Sequence, residues 1–265
     1  MIKEFIFNNT IYPECPIYCE KNNCLFFVDY IKNQIININL NNNLYEIYLQ
    51  LLDNSGPSGL AFDNEYLYIC LFDANKVLQL KDKVIVKEFL IKTPNDIIID
   101  NFGIYVTSSG LFDKNSNKDG CVYWICKKTF DIFKIMDNIH FSNGITILND
   151  NKLIVAEHLQ NKLLLYNIIS PGNIKFDYSI NLPYINNEEL IGPDGLVIDK
   201  NNNLWIAHFS SGNILKYSFA TKELKTINIS DKYVNVTNIC CDKNNNLYIT
   251  TFSTNNTGAI LKLSM

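Results

Sequence analysis

The stretch Gly192-Pro-Asp-Gly-Leu-Val-Ile-Asp-Lys-Asn-Asn-Asn-Leu-Trp-Ile-Ala-His208 contains two short apolar segments that are joined by a run of turn residues. Asn201–Asn203 favours a tight turn, and the segments on either side are rich in residues that favour β-strands. Two further strands are predicted by Gly212-Asn-Ile-Leu-Lys-Tyr and Glu223-Leu-Lys-Thr-Ile-Asn-Ile, which are each bounded by turn residues. The stretch therefore predicts a unit of four antiparallel strands.

The same unit recurs along the chain. A turn followed by an apolar strand occurs six times, and the aligned apolar positions are Leu25, Leu67, Ile104, Leu153, Leu204 and Leu247. Successive copies lie 37–51 residues apart, which is typical of the blades of a β-propeller. No helical periodicity of 3.6 residues is sustained anywhere. We predict that residues 1–265 form one all-β domain, a six-bladed β-propeller with four antiparallel strands per blade.

The two ends of the chain are predicted to close the ring of blades. The last copy, from Thr237 to Leu263, supplies only three strands, whereas Ile2–Phe7 reads as a spare strand. Pairing of this N-terminal strand with the last blade leaves no long exposed sheet edge.

Composition and charge exclude several classes of protein. Of the 265 residues, 47% are hydrophobic and 19% are charged, the net charge is −4, and all 23 basic residues are lysines, so no basic stripe for nucleic acid is present. No apolar run has the length of a membrane span, and the first residues do not resemble a signal peptide. Eight cysteines lie scattered in predicted strands without a CxxC pair, which favours reduced thiols. We expect a cytoplasmic monomer or weak homo-oligomer that binds neither nucleic acid nor membranes.

A polar residue stands near the start of the first, innermost strand of each copy, 9–11 residues before the aligned apolar position. The six residues are Glu14, Ser58, Asn95, Asn143, Asp194 and Thr237. Equivalent positions of a propeller converge around its central channel, so these side chains should face one another. Two carboxylates that lie close together repel each other unless a cation lies between them, and carboxylate and amide oxygens suit Ca²⁺, Mg²⁺ or Mn²⁺. The alternative is that these residues only favour turns, which fits Glu14 badly because Glu is not a turn former.

Several short motifs at blade spacing extend this pattern. They are Pro13-Glu-Cys-Pro16, Pro94-Asn-Asp96, Ser142-Asn-Gly144, Gly192–Asp199 followed by Leu204–Ala207, and Cys240-Cys241 before Leu247–Thr250. Through them the chain resembles the regucalcin/gluconolactonase family of six-bladed propellers along essentially its whole length. Members of this family hydrolyse lactones, notably sugar lactones.

The resemblance implies a specific set of site residues. Glu14, Asn143 and Asp194 would bind one divalent cation, Ca²⁺ in the first place and Mg²⁺, Mn²⁺ or Zn²⁺ as alternatives. Asn95 would line the substrate pocket, and Asp194 would be the general base. A cation that polarises the lactone carbonyl and a carboxylate that accepts a proton from water agree with this chemistry. No G-x-S-x-G motif is present to indicate a covalent nucleophile.

The chain departs from the family at one position. Sugar-acid lactonases of the family commonly carry an Arg two residues before the residue that matches Asn95, but here Thr93 takes that substrate-contacting position. A bidentate guanidinium contact to substrate is therefore not expected, although Lys92 could supply a point charge. Of the three histidines, which by default pack in the core or lie on the surface, His208 is the candidate for substrate contact.

The longest strandless stretch, Ser108–Gly120, should lie on the same face as the polar residues and is either a lid or a surface excursion. The predicted function is a metal-dependent hydrolase that opens a lactone, or a similar cyclic ester, by attack of water. A non-catalytic propeller that binds a ligand or a protein around a structural metal is the alternative. A lyase or condensing activity on a related propeller is a third reading, and Glu14 argues against it because it completes the metal set.

Overall fold

The computed structural model describes residues 2–63, 65–149, 151–185 and 190–264, and in these ranges 24 β-strands form six four-stranded antiparallel sheets. Each sheet is one blade, so the predicted six-bladed propeller is confirmed. A 3₁₀ turn at His158–Gln160 follows the second strand of blade four. None of the helical structure in these ranges is long and apolar enough to cross a membrane.

The strands are, in chain order, β1 (Ile2–Thr10), β2 (Pro13–Cys19), β3 (Cys24–Asp29), β4 (Gln34–Asn39), β5 (Tyr45–Gln50), β6 (Pro57–Phe62), β7 (Leu67–Leu71), β8 (Lys76–Lys81), β9 (Val84–Leu90), β10 (Pro94–Ile99), β11 (Gly103–Ser108), β12 (Gly120–Cys126), β13 (Ile132–Ile139), β14 (Ser142–Leu148), β15 (Lys152–Glu157), β16 (Lys162–Ser170), β17 (Asn173–Asn181), β18 (Gly192–Ile198), β19 (Asn203–Phe209), β20 (Asn213–Ser218), β21 (Leu224–Asn228), β22 (Asn235–Cys241), β23 (Leu247–Phe252) and β24 (Gly258–Ser264). Blades one to five are β2–β5, β6–β9, β10–β13, β14–β17 and β18–β21.

Blade six joins the two ends of the chain. Its strand order is β22, β23, β24 and β1, and β1 pairs with β24 in an antiparallel register that places Lys3 opposite Leu263. The predicted closure by the N-terminal strand is therefore confirmed.

The core lies between the blades. Each second strand is buried on both faces, as in β3, where Leu25 and Phe27 pack towards blade six and Phe26 and Val28 pack towards blade two. Clusters of buried side chains join every pair of neighbouring blades in the described ranges. This packing explains why the second strand of each copy is a continuous apolar run. All eight cysteines are free thiols.

The inner strand of each blade has a break in its pairing register close to its first residues. The pairing of β2 with β3 shifts between Glu14 and Ile17, and that of β18 with β19 shifts between Pro193 and Leu196. The other four inner strands have the same kind of irregularity at the same place. A β-bulge redirects the side chains of its strand. The bulges therefore determine which side chains point into the channel at this end.

Neighbouring inner strands also approach each other closely at this level. A Cβ atom added at Gly144 would overlap the backbone carbonyl of Asp194, and one added at Gly195 would overlap the side chain of Asn238. Glycine is therefore required beside Asn143 and Asp194, because it lets the inner strands of blades four, five and six converge.

Candidate functional site

A cavity of about 240 Å³ lies at the end of the channel where the inner strands begin. It is lined by Tyr12, Glu14, Tyr30, Ile31, Ser58, Phe72, Asn95, Phe112, Phe141, Asn143, His158, Asp194 and Phe209. Five of the six polar residues that the repeat pointed to are in this set. The sixth, Thr237, is buried, and its hydroxyl donates a hydrogen bond to the carbonyl of Pro13 over 2.7 Å.

The two carboxylates of the cavity have few partners. Glu14 accepts a hydrogen bond from the backbone N–H of Cys15, and Asp194, which is 5% exposed, accepts one from the side-chain amide of Asn143. Burial, followed by the charges of Asp194 and Asp96, raises the pKa of Glu14 well above its usual value. Burial and then the charge of Asp96 do the same to the pKa of Asp194. Buried Asp194 and half-buried Glu14 destabilise each other's charged form, and a cation between them would stabilise both.

The amide of Asn143 is held in one orientation. Its Nδ2 lies 3.2 Å from Nδ1 of His158, whose Nε2 lies 3.0 Å from the carbonyl oxygen of Leu190. Because a carbonyl can only accept, Nε2 carries the proton of His158 and Nδ1 accepts from Asn143. Burial lowers the pKa of His158 to about 4, so this ring is neutral. The amide nitrogen of Asn143 is thus occupied, and its Oδ1 is left for a ligand.

Asp96 lies beneath the cavity and is a structural residue. Its carboxylate accepts hydrogen bonds from the backbone N–H groups of Ile97 over 2.9 Å and Ile145 over 3.1 Å, so it joins the inner strands of blades three and four. Burial raises the pKa of Asp96 to about 6, although these two donors partly oppose the change. Asp96 does not line the cavity.

Two polar groups of the cavity have no hydrogen-bond partner among the residues that the structure describes. They are the side-chain amide of Asn95 and the hydroxyl of Tyr12. Burial and the charges of Glu14 and Asp194 raise the pKa of Tyr12 well above its usual value, so its hydroxyl stays protonated beside the two carboxylates. Asn95 and Tyr12 are therefore available to donate hydrogen bonds to a ligand.

Two predicted substrate contacts lie away from the cavity. His208 is 0% exposed, and its ring nitrogens contact Oδ1 of Asn161 and the hydroxyl of Ser211, each over 3.0 Å. Thr93 does not line the cavity, and its hydroxyl accepts a hydrogen bond from the N–H of Gly110 over 3.1 Å. Lys92, the suggested point charge, is exposed and also lies outside the lining.

Sequence reasoning missed Tyr12 and the aromatic residues of the cavity. Tyr12 stands only two residues before Glu14, so it could have been found from its position. Three of the aromatic residues share one repeat position with His158, five residues after the aligned apolar position of their copies, and these are Tyr30, Phe72 and Phe209. Phe112 and Phe141 stand in connections that follow no repeat. The loop that was predicted as a lid or surface excursion does reach the cavity, through Phe112.

The donor set fits a hard divalent cation. In the described part of the chain, no three His, Cys, Asp or Glu side chains form a group that could hold a metal ion. The cavity offers a different kind of set, because it combines the carboxylates of Glu14 and Asp194 with the amide oxygen of Asn143. Such all-oxygen sets suit Ca²⁺ or Mg²⁺ better than they suit Zn²⁺. No Lys side chain lines the cavity to neutralise the two acids.

Comparison with known proteins agrees with this fold. The family model for the SMP-30/gluconolactonase/LRE-like region matches residues 12–253. Lactonase drp35 of Staphylococcus aureus (strain bovine RF122 / ET3-1) is 28% identical over 127 residues, which are 47% of this chain and 38% of that protein. The match thus covers well under half of that relative's length.

Two solved structures are similar over nearly the whole chain. A gluconolactonase from Xanthomonas campestris has a TM-score of 0.78 at 15% identity and covers 98% of this chain and 89% of its own. Regucalcin from Agrobacterium tumefaciens, a calcium-binding protein, has a TM-score of 0.79 at 13% identity and covers 100% of this chain and 94% of its own. At these identities the likeness shows the fold.

Proposed function

Because the chain belongs to the SMP-30/gluconolactonase/LRE-like family, we propose that it hydrolyses a lactone with the help of one divalent cation held by Glu14, Asn143 and Asp194. The observation that carries the proposal is the pair of carboxylates around one cavity, buried Asp194 and half-buried Glu14, each with a single hydrogen-bond donor among the residues that the structure describes. Ca²⁺ is the first candidate, because the donors are all oxygens and one structural relative is a calcium-binding protein.

The cation, when bound, would polarise the lactone carbonyl and stabilise the negative charge that develops on its oxygen. Asp194 then orients a water molecule at the floor of the cavity and accepts its proton as the water attacks the carbonyl carbon. Asn95 and the Tyr12 hydroxyl donate hydrogen bonds to oxygens of the substrate. His158 holds the amide of Asn143 so that its Oδ1 faces the ligand. Asp194 then returns the proton to the leaving ring oxygen as the ring ester bond breaks, which yields a hydroxy acid.

The proposal is tested with two variants of near-identical shape, Glu14→Gln and Asp194→Asn. Binding of Ca²⁺ is measured by calorimetric titration, and lactone opening is measured by the release of protons. We expect both variants to bind Ca²⁺ at least about 100-fold more weakly, because each replaces a charged carboxylate oxygen with a neutral amide oxygen and removes half of the negative charge. Hydrolysis should be lost in both variants, and in the unchanged protein after chelation.

The matched control is Asp199→Asn, which makes the same substitution in the same blade but outside the cavity. It should leave the Ca²⁺ affinity and the rate of hydrolysis unchanged. Full hydrolysis by Asp194→Asn in the presence of a chelator would overturn the proposal. A protein that binds Ca²⁺ through Glu14 and Asp194 but opens no lactone would instead be a non-catalytic binding propeller.

A further inference from the structure

An unbroken series of aromatic rings surrounds the mouth of the cavity. We call it the aromatic collar, and its members in order of contact are Phe72, Tyr30, Tyr12, Phe252, Phe209, Phe112 and Phe141. The centroids of neighbouring rings are 4.2–6.4 Å apart. The rings come from five separate blades and from the connection into a sixth, and six of the seven line the cavity directly. The mouth is thus apolar, whereas the floor is acidic.

The collar offers few polar groups to a ligand. Its hydroxyls belong to Tyr12 and Tyr30, and that of Tyr30 already donates to the carboxylate of Asp73 over 2.8 Å. Among the described residues no Lys lines the cavity, and both ring nitrogens of His158 are occupied, one by the amide of Asn143 and one by the carbonyl of Leu190, so neither is free to bind an anionic ligand. A ligand hydroxyl held against the phenylalanine rings of the collar would lose its hydrogen bonds to water without replacement. The charges of Glu14 and Asp194 would balance those of a divalent cation, so a ligand carboxylate would meet neither a net positive charge nor a cationic side chain there.

The collar is more than an internal packing feature. Phe112 stands in the loop between β11 and β12 and is 37% exposed, although its ring contacts Phe141 at 4.6 Å. The loop is held over the cavity, because the backbone carbonyl of Asp113 lies 3.1 Å from Nε2 of His140. An exposed phenylalanine that is fixed at the rim of a cavity offers its face to a ligand.

We propose that the aromatic collar binds an alkyl or aryl substituent of a neutral lactone, and that the chain prefers such lactones to polyhydroxylated or carboxylate-bearing ones. The reaction in this inference rests on the proposed lactone hydrolysis. The substrate class rests on the collar alone. The ester group reaches the acidic floor, while the apolar substituent leaves water and packs against the rings at the mouth.

The test compares three lactones with the same six-membered ring, so that the reacting ester stays alike. They are unsubstituted δ-valerolactone, a δ-lactone with a five-carbon alkyl chain, and glucono-δ-lactone. With the full chain loaded with Ca²⁺, kcat/KM for the alkyl lactone should exceed that for the unsubstituted lactone by about tenfold or more. Glucono-δ-lactone should be the poorest of the three substrates.

Two variants of the same loop link the preference to the collar. Phe112→Ala should reduce the preference for the alkyl lactone by about tenfold, because a ring that packs on the alkyl chain is removed. Leu111→Ala removes an apolar side chain from the adjacent residue, which is 60% exposed and does not line the cavity, so it should leave all three rates unchanged.

Binding of two lactams separates failure of the reaction from failure of the collar. The alkyl-substituted and unsubstituted δ-lactams resist hydrolysis, and their affinities are measured by calorimetric titration. If lactones are opened but the alkyl compounds show no advantage in rate or in lactam affinity, the collar inference is wrong and the proposed hydrolysis stands. If no lactone is opened, the hydrolysis is wrong. In that case the lactams alone test the collar. If the unchanged protein binds the alkyl lactam more tightly than the unsubstituted lactam, and Phe112→Ala removes this difference, the collar inference is supported. If the two lactams bind with equal affinity, the collar inference is wrong.

Discussion

Asp194 lies near the start of β18, Asp199 directly follows its last residue, and the two carboxylates have opposite surroundings. Asp199 accepts hydrogen bonds from the backbone N–H groups of Asn201 and Asn203, the side-chain amide of Asn203 and the indole N–H of Trp205, at 2.9–3.1 Å. Among the described residues, Asp194 accepts one hydrogen bond, from Asn143. One carboxylate is thus satisfied by the fold, and the other is left for a ligand.

Asp199 shares its kind of surroundings with other aspartates on the face opposite the cavity. There an aspartate accepts backbone N–H groups of the turn between the first and second strands, and a tyrosine or tryptophan further along donates to its carboxylate. The aspartates are Asp63, Asp100, Asp199 and Asp242. Among the described residues, Glu14 and Asp194, the acids that line the cavity, have no such set of donors, although Asp29 at the same end of the blades accepts the N–H groups of Ile11, Tyr12 and Lys32. Whether an acidic residue serves the fold or a ligand is therefore decided by the donors around it rather than by residue type.

The largest expected effect is a contrast in stability between Asp199→Ala and Asp194→Ala, measured with a chelator present. Asp199→Ala should lower the free energy of unfolding by about 3 kcal/mol, because it leaves the buried N–H of Trp205 and turn N–H groups without an acceptor. Asp194→Ala should change it by less than about 1 kcal/mol or increase it, because it removes a buried acid that has a single donor. Urea unfolding followed by circular dichroism measures both. Equal losses would show that the two carboxylates are equally important to the fold.

The second prediction concerns His158, which lines the cavity yet has both ring nitrogens occupied. His158→Ala should weaken Ca²⁺ binding by about 10–100-fold, because Asn143 loses the acceptor that orients its amide. His158→Asn keeps an acceptor oxygen on the equivalent branch of the side chain and should bind within a few-fold of the unchanged protein. Calorimetric titration gives the affinities.

The control for His158 is His208→Asn, at a histidine that is buried outside the cavity. It should leave the Ca²⁺ affinity unchanged even if it lowers the melting temperature. If His158→Ala and His158→Asn weakened Ca²⁺ binding equally, His158 would not orient Asn143, because an acceptor for the amide of Asn143 would then make no difference to the affinity.

Sequence reasoning reached the fold and the floor of the site because both repeat. Blade spacing identified six strands in register, and the same offset before each strand led to Glu14, Asn95, Asn143 and Asp194, which line one cavity. Whether these residues bind a cation stays a prediction. His208 lies outside the cavity lining, where its ring contacts Asn161 and Ser211, and substrate contact by His208 stays a prediction.

Only part of the collar could be found in the same way. Four of its rings stand five residues after the aligned apolar position of their copies, and these are Tyr30, Phe72, Phe209 and Phe252. Phe112 and Phe141 stand in connections that follow no repeat, and they meet the other rings only because the blades are arranged around one axis. Periodicity therefore predicts the part of the site that the repeat builds, and it does not predict the part that individual loops add.

The smallest expected effect is a pH dependence at the satisfied end of β18. Burial alone would raise the pKa of Asp199, but hydrogen bonds from Asn203, Trp205 and Asn201 lower it below the usual value. Because the unfolded chain binds this proton at a pKa of about 4, ionised Asp199 stabilises the folded chain above that pH, and the contribution is lost as the pH falls through the folded pKa. Asp199→Asn should therefore lower the free energy of unfolding by about 1 kcal/mol at neutral pH, and its difference from the unchanged protein should shrink below about pH 4. Asp53→Asn, at an exposed aspartate, is the matched control in urea unfolding across this pH range. If the free energy of unfolding of Asp199→Asn differed from that of the unchanged protein by the same amount at every pH, the charge of Asp199 would not stabilise the turn. The contrast between Asp194 and Asp199 would then come from hydrogen-bond geometry and not from charge.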